Sequence, residues 1–226
     1  TLWSDVINKY PAGSAIPYTN HGVCMGEEKQ TQKAISDFSK AIEIDPGYAK
    51  AWCNRGSSYG TVGDWESAIN DYTKAIDLNG SFLIAYHNRG IAFLNLKKWD
   101  NAVQDFSKVI EIDPKYAEAW SNRSIAYGNM ERWENALSDC SRVIELDAKN
   151  AKAWYNRGFT YMNMKSYDKS IADFTKAIEI NPGYAMAFFN RGVAYGFLGQ
   201  NDNSNRDYST AIQLDPGLAD AVSSAK

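Results

Sequence analysis

Six asparagines recur at intervals of 34 residues: Asn20, Asn54, Asn88, Asn122, Asn156 and Asn190. A carboxamide carries both a donor and an acceptor, the pair needed to hold an extended peptide backbone. The same interval carries Arg55, Arg89, Arg123, Arg157 and Arg191, with His21 in the first copy. Sixteen residues after each stands an aspartate: Asp37, Asp71, Asp105, Asp139, Asp173 and Asp207. A guanidinium fork meets a carboxylate bidentately, so this spacing predicts a repeated ion pair between two elements. An arginine facing a ligand phosphate is the alternative use. Residues for covalent or metal chemistry are sparse. Cys24, Cys53 and Cys140 have no paired spacing, and with only His21 and His87 they form neither a disulfide framework nor a zinc set. Neither histidine is placed in sequence to suggest a Cys-His or Ser-His pair. The glycines fall at the repeat interval rather than in a phosphate loop. The expectation is a protein with no catalytic apparatus, no cofactor and no metal.

The elements that must present these residues share the period. Trp52, Tyr86, Trp120, Trp154 and Phe188 are each 34 apart, and Tyr18 extends the series backward. Self-similarity at a fixed period signals a repeat architecture. Six repeats follow, 15–48, 49–82, 83–116, 117–150, 151–184 and 185–218, numbered internally from position 1 to position 34. Each reads as two helices. In the first, position 4 is aromatic, position 8 is Gly except for Ser124, and position 11 is aromatic except for Met25. Steps of four and three place these on one stripe, read as the buried side. In the second helix position 20 is Ala or Ser, position 24 is aromatic except for Cys140, and position 28 is Ile. Gly or a polar pair near positions 15 and 16 makes the turn. An Asp-Pro or Asn-Pro pair closes four repeats, at Pro46, Pro114, Pro182 and Pro216, since proline cannot continue a helix.

The segment AWYNRGFTYMNMKSYDKSIADFTKAIEINP, residues 153–182, resembles the tetratricopeptide repeat family at nearly every diagnostic position. The resemblance covers residues 15–218 and implies an all-α, right-handed superhelical solenoid of antiparallel helix pairs. In LWSDVINKYP, Trp3, Ile7 and Pro11 correspond to positions 24, 28 and 32, so residues 1–14 read as the second helix of a preceding half-repeat. Residues 219–226 begin like another first helix and then turn polar, a capping helix or a truncated repeat. The chain reads as a fragment of a longer array or one capped by half-repeats.

If positions 4, 8 and 11 are buried, positions 2, 6, 9 and 13 lie opposite, at about 100° per residue. The resemblance implies that this opposite face lines a concave groove. The asparagines occupy its position 6, and a similar ladder holds substrate polypeptide in O-linked N-acetylglucosamine transferases. The alternative is that duplication copied them, or that they bridge neighbouring first helices. Around them the face becomes apolar toward the C-terminal half, with Ile91, Leu94, Ile125, Tyr155, Phe159, Met162, Phe189, Val193 and Phe197. Contiguous exposed apolar side chains mark binding surfaces, although several of these could pack between helices. Lys50 and Lys152 add isolated positive charge, and Cys53 sits beside the groove. WSNRSIAY, residues 120–127, looks like the middle repeat of the co-chaperone carboxylate clamp, and Lys152 falls at a clamp lysine. But His87 and Ile91 stand where that clamp carries Lys and Asn, and Asn156 replaces its Arg, so the clamp is read as absent.

A net charge of −3, with 44% hydrophobic and 23% charged residues, describes a globular chain without the basic footprint of a nucleic-acid binder. No apolar run is long enough for direct membrane insertion. The reading is a non-enzymatic scaffold that holds an extended peptide or a helix of a protein partner in the groove. Two alternatives stand beside it: self-assembly into a homo-oligomer through open terminal repeats, and an auxiliary domain of a larger protein. No signal peptide is visible, which slightly favours the cytoplasm. LWSDVINKYP, however, loosely resembles the membrane junction of glycosyltransferase-like proteins, which would place the domain outside it.

Overall fold

Local chemistry sets where each helix starts and stops. The computed structural model describes residues 13–225. The first helices of the repeats are α1 (Ile16–Glu27), α3 (Ala49–Thr61), α5 (Leu83–Asn95), α7 (Ala117–Asn129), α9 (Ala151–Asn163) and α11 (Ala185–Phe197). The second helices are α2 (Thr31–Ile44), α4 (Trp65–Leu78), α6 (Trp99–Ile112), α8 (Trp133–Leu146), α10 (Tyr167–Ile180) and α12 (Asn201–Leu214). A short 3-10 turn, Pro216–Leu218, leads into α13 (Ala219–Ala225). The helix expected over residues 1–14 lies almost wholly outside the described residues.

The turn inside each pair is made by position 15, which is left-handed in all six repeats: Lys29, Gly63, Lys97, Glu131, Lys165 and Gly199. The next residue then donates its N–H to a carbonyl five residues back, as Asp64 does to Tyr59 and Lys98 to Phe93. This C-terminal closure satisfies carbonyls that the helix leaves free. At the end of the second helix an Asp or Asn leaves the helical region, for example Asp45 at φ −134° and ψ 90°. Its side chain then accepts from the N–H two residues on: Gly47 to Asp45, Lys149 to Asp147, Gly183 to Asn181. Asn79 and Asp147 do the same with no proline after them, Asn79 accepting from Ser81. The polar side chain therefore ends these helices, and proline only reinforces it.

By contacts the chain divides into two bodies, Thr1–Pro114 and Lys115–Lys226. In the first, α1 packs on α2, α3 on α4 and α5 on α6, with α2 against α3 and α4 against α5. In the second, α7 packs on α8, α9 on α10 and α11 on α12, with α8 against α9 and α10 against α11. Within a pair, partners fall along the second helix as positions rise along the first. Gly56 at position 8 meets Ala68 and Tyr72 at positions 20 and 24, whereas Gly60 at position 12 meets Trp65 at position 17. The pairs are therefore antiparallel.

The sequence stripe at positions 4, 8 and 11 is corrected in one respect. The aromatics at 4 and 11, such as Trp52 and Tyr59, are only half-buried. The deepest seams belong to small residues: Ala51, Ala85, Ala119, Ala153 and Ala187 at position 3, Ala92, Ala126 and Ala194 at position 10, and glycine at position 8. Two helices can approach closely only where side chains are small, so the rings at positions 4 and 11 flank the seams, while those at position 24, such as Phe106 and Phe174, are buried against the position-8 glycines. Trp52 and Trp154 use their indole N–H groups to hold the preceding loop, each donating to a backbone carbonyl at 2.9 Å.

Position 8 is the tightest of these seams. A Cβ added at Gly158 would stand 2.9 Å from Phe174 Cδ1, and one at Gly90 2.8 Å from Phe106 Cε1. Gly158→Leu is therefore expected to lower stability by about 1–3 kcal/mol or more through overpacking. Thermal or urea unfolding of the variant checks this, and an unchanged transition would contradict the packing described.

Candidate functional site

The arginine at position 7 joins three elements. Arg55 Nε and Nη2 donate to Asp71 Oδ2 and Oδ1 at 2.7 and 2.8 Å. Arg89 grips Asp105, Arg123 grips Asp139, Arg157 grips Asp173 and Arg191 grips Asp207 with the same fork. In the first repeat His21 Nδ1 lies 2.8 Å from Asp37. The remaining nitrogen, Nη1, reaches back to the preceding repeat. Arg55 donates to Ser39, Arg89 to Thr73 and Arg191 to Thr175, all at position 25. Each guanidinium also lies over the rings at positions 4 and 11 of its own helix, 4.9 Å from the Trp52 centroid for Arg55. Burial pushes the Asp105 and Asp139 carboxyls upward against the pull of Arg89 and Arg123. The acceptor at position 25 was not singled out in the sequence, although Ser or Thr stands there in every repeat.

The asparagines do not share one environment. Asn20 is exposed, whereas Asn54, Asn88, Asn122 and Asn156 are half-buried and Asn190 is 5% exposed. Asn88 Nδ2 donates to Ser57 Oγ at 3.3 Å, bridging α5 to α3. Asn190 Nδ2 donates to the Tyr155 hydroxyl at 2.8 Å, bridging α11 to α9. Asn54 and Asn156 differ, because their Nδ2 atoms are buried without a hydrogen-bond partner.

The other residues on this face divide by exposure. Ile125 is 36%, Phe159 41% and Phe197 63% exposed, and Lys50 and Lys152 stand in solvent. Ile91, Leu94, Met162 and Val193 are half-buried. Tyr155 and Phe189 are half-buried and engaged, the Tyr155 ring 4.8 Å from Tyr184 and Phe189 5.9 Å from Tyr208. Ser124, Ile125, Gly128, Asn129, Trp133, Cys140, Tyr155, Asn156, Phe159 and Thr160 line a cavity of about 300 Å³ in the second body. Cys53 is not beside the groove: it is 2% exposed, in a cluster with Ala68, Tyr72 and Ile76. Burial pushes its thiol up to about 12 and that of Cys140 to about 11, the reverse of an activated nucleophile. His87 is buried edge-on to Phe106. Among the described residues, no group of three or more potential ligands is placed to hold a metal ion, and no helix is long and apolar enough to cross a membrane.

Sequence profiles described as tetratricopeptide repeat match residues 17–48, 49–82, 84–116, 151–184 and 174–213, together well over half of the chain. The chain belongs to the tetratricopeptide repeat family. A profile described as protein prenyltransferase alpha subunit repeat matches residues 133–164, across α8 and α9. No curated protein matches the chain in sequence. Among solved structures, YrrB, titled a tetratricopeptide repeat protein with an unusual peptide-binding site, is 24% identical with a TM-score of 0.73. The alignment covers 83% of this chain and 96% of YrrB. MamA is 25% identical with a TM-score of 0.68, over 73% of this chain and 96% of its own. PilF of Pseudomonas aeruginosa is 17% identical with a TM-score of 0.74, over 90% of this chain and 92% of its own. These likenesses show the fold: an all-α solenoid of tetratricopeptide repeats.

The ion pairs predict an asymmetric double-mutant cycle. Asp105 has a 5% exposed side chain and Arg89 a 17% exposed one. Arg89→Ala strands a buried carboxylate and should cost about 3 kcal/mol or more, whereas Asp105→Ala leaves a cation that can reach water and should cost less. The double variant should cost less than the two singles together. Without the guanidinium, burial alone acts on Asp105 and holds its folded pKa above the unfolded value. That contribution is fully present below the unfolded pKa and is lost as pH rises through the folded one. The deficit of Arg89→Ala should therefore shrink as pH falls from 7 into the carboxylate range. Urea unfolding across pH measures it, and strict additivity would show that the two residues do not interact.

Proposed function

We propose that this chain is a non-enzymatic scaffold that holds an extended segment of a protein partner on the exposed face of its first helices. The observation that carries the reading is the set of side chains left open there in the second body. Ile125 and Phe159, at position 9 of successive repeats, are exposed around the cavity that Asn156 lines, and the Asn156 donor has no partner within the protein; Phe197, at position 13, is exposed while stacked on Tyr167. The packing of a pair does not itself require a large apolar group at position 9, since Ser57 stands there between Val23 and Ile91 in the first body. YrrB, similar in fold, is by its title a peptide-binding protein of this family. The buried, raised thiols of Cys53 and Cys140 speak against nucleophilic catalysis. The ladder is divided in role. Asn88 and Asn190 bridge helices, while Asn156 and Asn54 keep a free donor.

Substitution of the exposed positions separates binding from folding. Ile125→Ala with Phe159→Ala should leave the melting temperature within a few degrees of wild type. Affinity for a partner recovered from native lysate should fall by about one to two decades, as loss of two apolar anchors implies. Titration calorimetry with the purified partner reads this, and wild-type affinity would remove the proposal. Asn190→Ala should instead lower stability, by about 1 kcal/mol for one lost neutral hydrogen bond. If light scattering showed wild-type mass rising with concentration, and the Ile125 and Phe159 variants abolished that rise, the face would be a self-association surface.

A further inference from the structure

Position 24 is Phe or Tyr in five repeats and Cys140 in the fourth, and that repeat is also the one with Ser124 in place of glycine at position 8. Elsewhere the two positions are packed face to face. The Tyr72 ring lies over Gly56, so close that a Cβ there would be 2.9 Å from it, and Tyr208 covers Gly192 at the same distance. Serine is admitted at position 124 because no ring covers it.

The loss of the ring also changes what lies in front of it. In the second repeat a cavity on the first-helix face is lined by Ser57, Trp65, Tyr72, Asn88 and Ile91, and Tyr72 forms its floor. The Tyr72 hydroxyl meets Ser57 at 3.3 Å and interacts with the Asn88 carboxamide. The corresponding cavity of the fourth and fifth repeats is of similar size, about 300 Å³ against about 290 Å³, but is lined by Ser124, Cys140 and Thr160, each 4% exposed or less, where the second repeat presents the Tyr72 ring. A cavity of ~150 Å³ suffices to hold a benzene ring. Asn156 lines it at the place that Asn88 has in the sister cavity, and its Nδ2 is buried without an acceptor. Asn54, preceded by Phe38, likewise has an unpartnered Nδ2, whereas Asn190, preceded by Phe174, is taken up by the Tyr155 hydroxyl. A buried amide donor without an acceptor has lost its water and gained nothing in return, so an occupant that supplies an acceptor is favoured.

We propose that this cavity is a specificity pocket for a tyrosine side chain of the bound partner, which takes the place that Tyr72 occupies in the second repeat. The ring enters between Ile125 and Phe159, against the Tyr155–Phe159 aromatic pair whose centroids are 6.4 Å apart. Its hydroxyl oxygen accepts from Asn156 Nδ2. Phenylalanine would fill the space and leave the donor orphaned; leucine or methionine would do neither well. The assignment rests on the proposed partner-binding face, but the pocket can be tested with no partner present.

The probes are p-cresol, which is the tyrosine side chain cut at Cβ, and toluene, its phenylalanine counterpart. Titration of the full chain is followed by the methyl resonances of Ile125 and Thr160. The expected result is saturable binding of p-cresol, roughly two- to tenfold tighter than toluene, the range of one neutral hydrogen bond. Ser124→Gly with Cys140→Tyr rebuilds the Gly56–Tyr72 arrangement from within; it should abolish p-cresol binding and raise the melting temperature. Asn156→Leu, which needs no repacking of the seam, should erase the preference for p-cresol over toluene. It keeps the test open if the double variant does not fold. An acetylated heptapeptide of glycine and serine with one central tyrosine should displace p-cresol from the same methyls. The proposal is overturned if p-cresol does not bind, if toluene binds equally well, or if a folded Ser124→Gly/Cys140→Tyr protein still binds p-cresol. It is overturned as a partner site if the peptide cannot displace a bound p-cresol, which would leave a pocket for free phenols. Loss of partner binding in Ile125→Ala/Phe159→Ala together with no p-cresol binding would sink the pocket alone and leave the scaffold reading intact.

Discussion

The interaction on which the rest of the fold depends is the arginine at position 7. One side chain closes its own helix pair through a bidentate carboxylate and, through the third nitrogen, fastens that pair to the one before it. Its flat face meanwhile lies on two aromatic rings of its own helix. Lysine could supply the charge but not the planar fork or the stacking. The cost of such a group is the buried aspartate, whose carboxyl is pushed upward wherever the shift is resolved. That burden is tolerable because both oxygens are satisfied. It also explains why position 23 does not vary while the surface around it does.

Once the pair is closed this way, the distance between its helices follows. Glycine at position 8 and alanine at positions 3 and 10 are consequences of that distance, since a single added Cβ would sit inside the van der Waals surface of the facing ring. The aromatics at positions 4 and 11 move to the borders, where they shield the ion pair and hold the loops. Solenoid repeats draw stability from such repeated internal and neighbour contacts, so a defect in one is felt in those beside it. The first helices are thus covered on both flanks; positions 2 and 13 are exposed throughout and position 9 in part, while the asparagines of position 6 are mostly half-buried. Functional variation collects there because it costs the fold little.

That freedom gives the face its character. At position 9 the first body carries Val23, Ser57 and Ile91 and the second Ile125, Phe159 and Val193; at position 13 the residues are polar except for Phe197. The asparagines look identical in sequence, yet their neighbours give them different work. Where position 24 of the preceding repeat supplies a hydroxyl, as Tyr72 does, the carboxamide is absorbed into the structure. Elsewhere the outcome depends on other neighbours: after Phe174, Asn190 finds the Tyr155 hydroxyl, whereas after Phe38 and Cys140 the donor has no partner. Departures from the repeat pattern are therefore more informative about function than the pattern itself.

The amino-acid sequence by itself determined the architecture. A 34-residue period, small residues where helices touch, and arginine and aspartate sixteen apart are each physical requirements of the same helix pair, so they can be read without coordinates. Helix ends were legible where proline marked four of them, while the side-chain turns at Asn79 and Asp147, which no proline follows, came from the structure. What needed tertiary structure was every question settled between repeats. The third bond of Arg55, Arg89 and Arg191, the burial of Cys53, the bridge from Asn190 to Tyr155 and the pocket at Cys140 join residues whose relation depends on how pairs stack. The physical reason is that periodicity specifies which side of a helix faces inward. The reach of a side chain across a seam, and whether it finds an acceptor there, depends on the identity of one neighbour some 16 to 35 residues away.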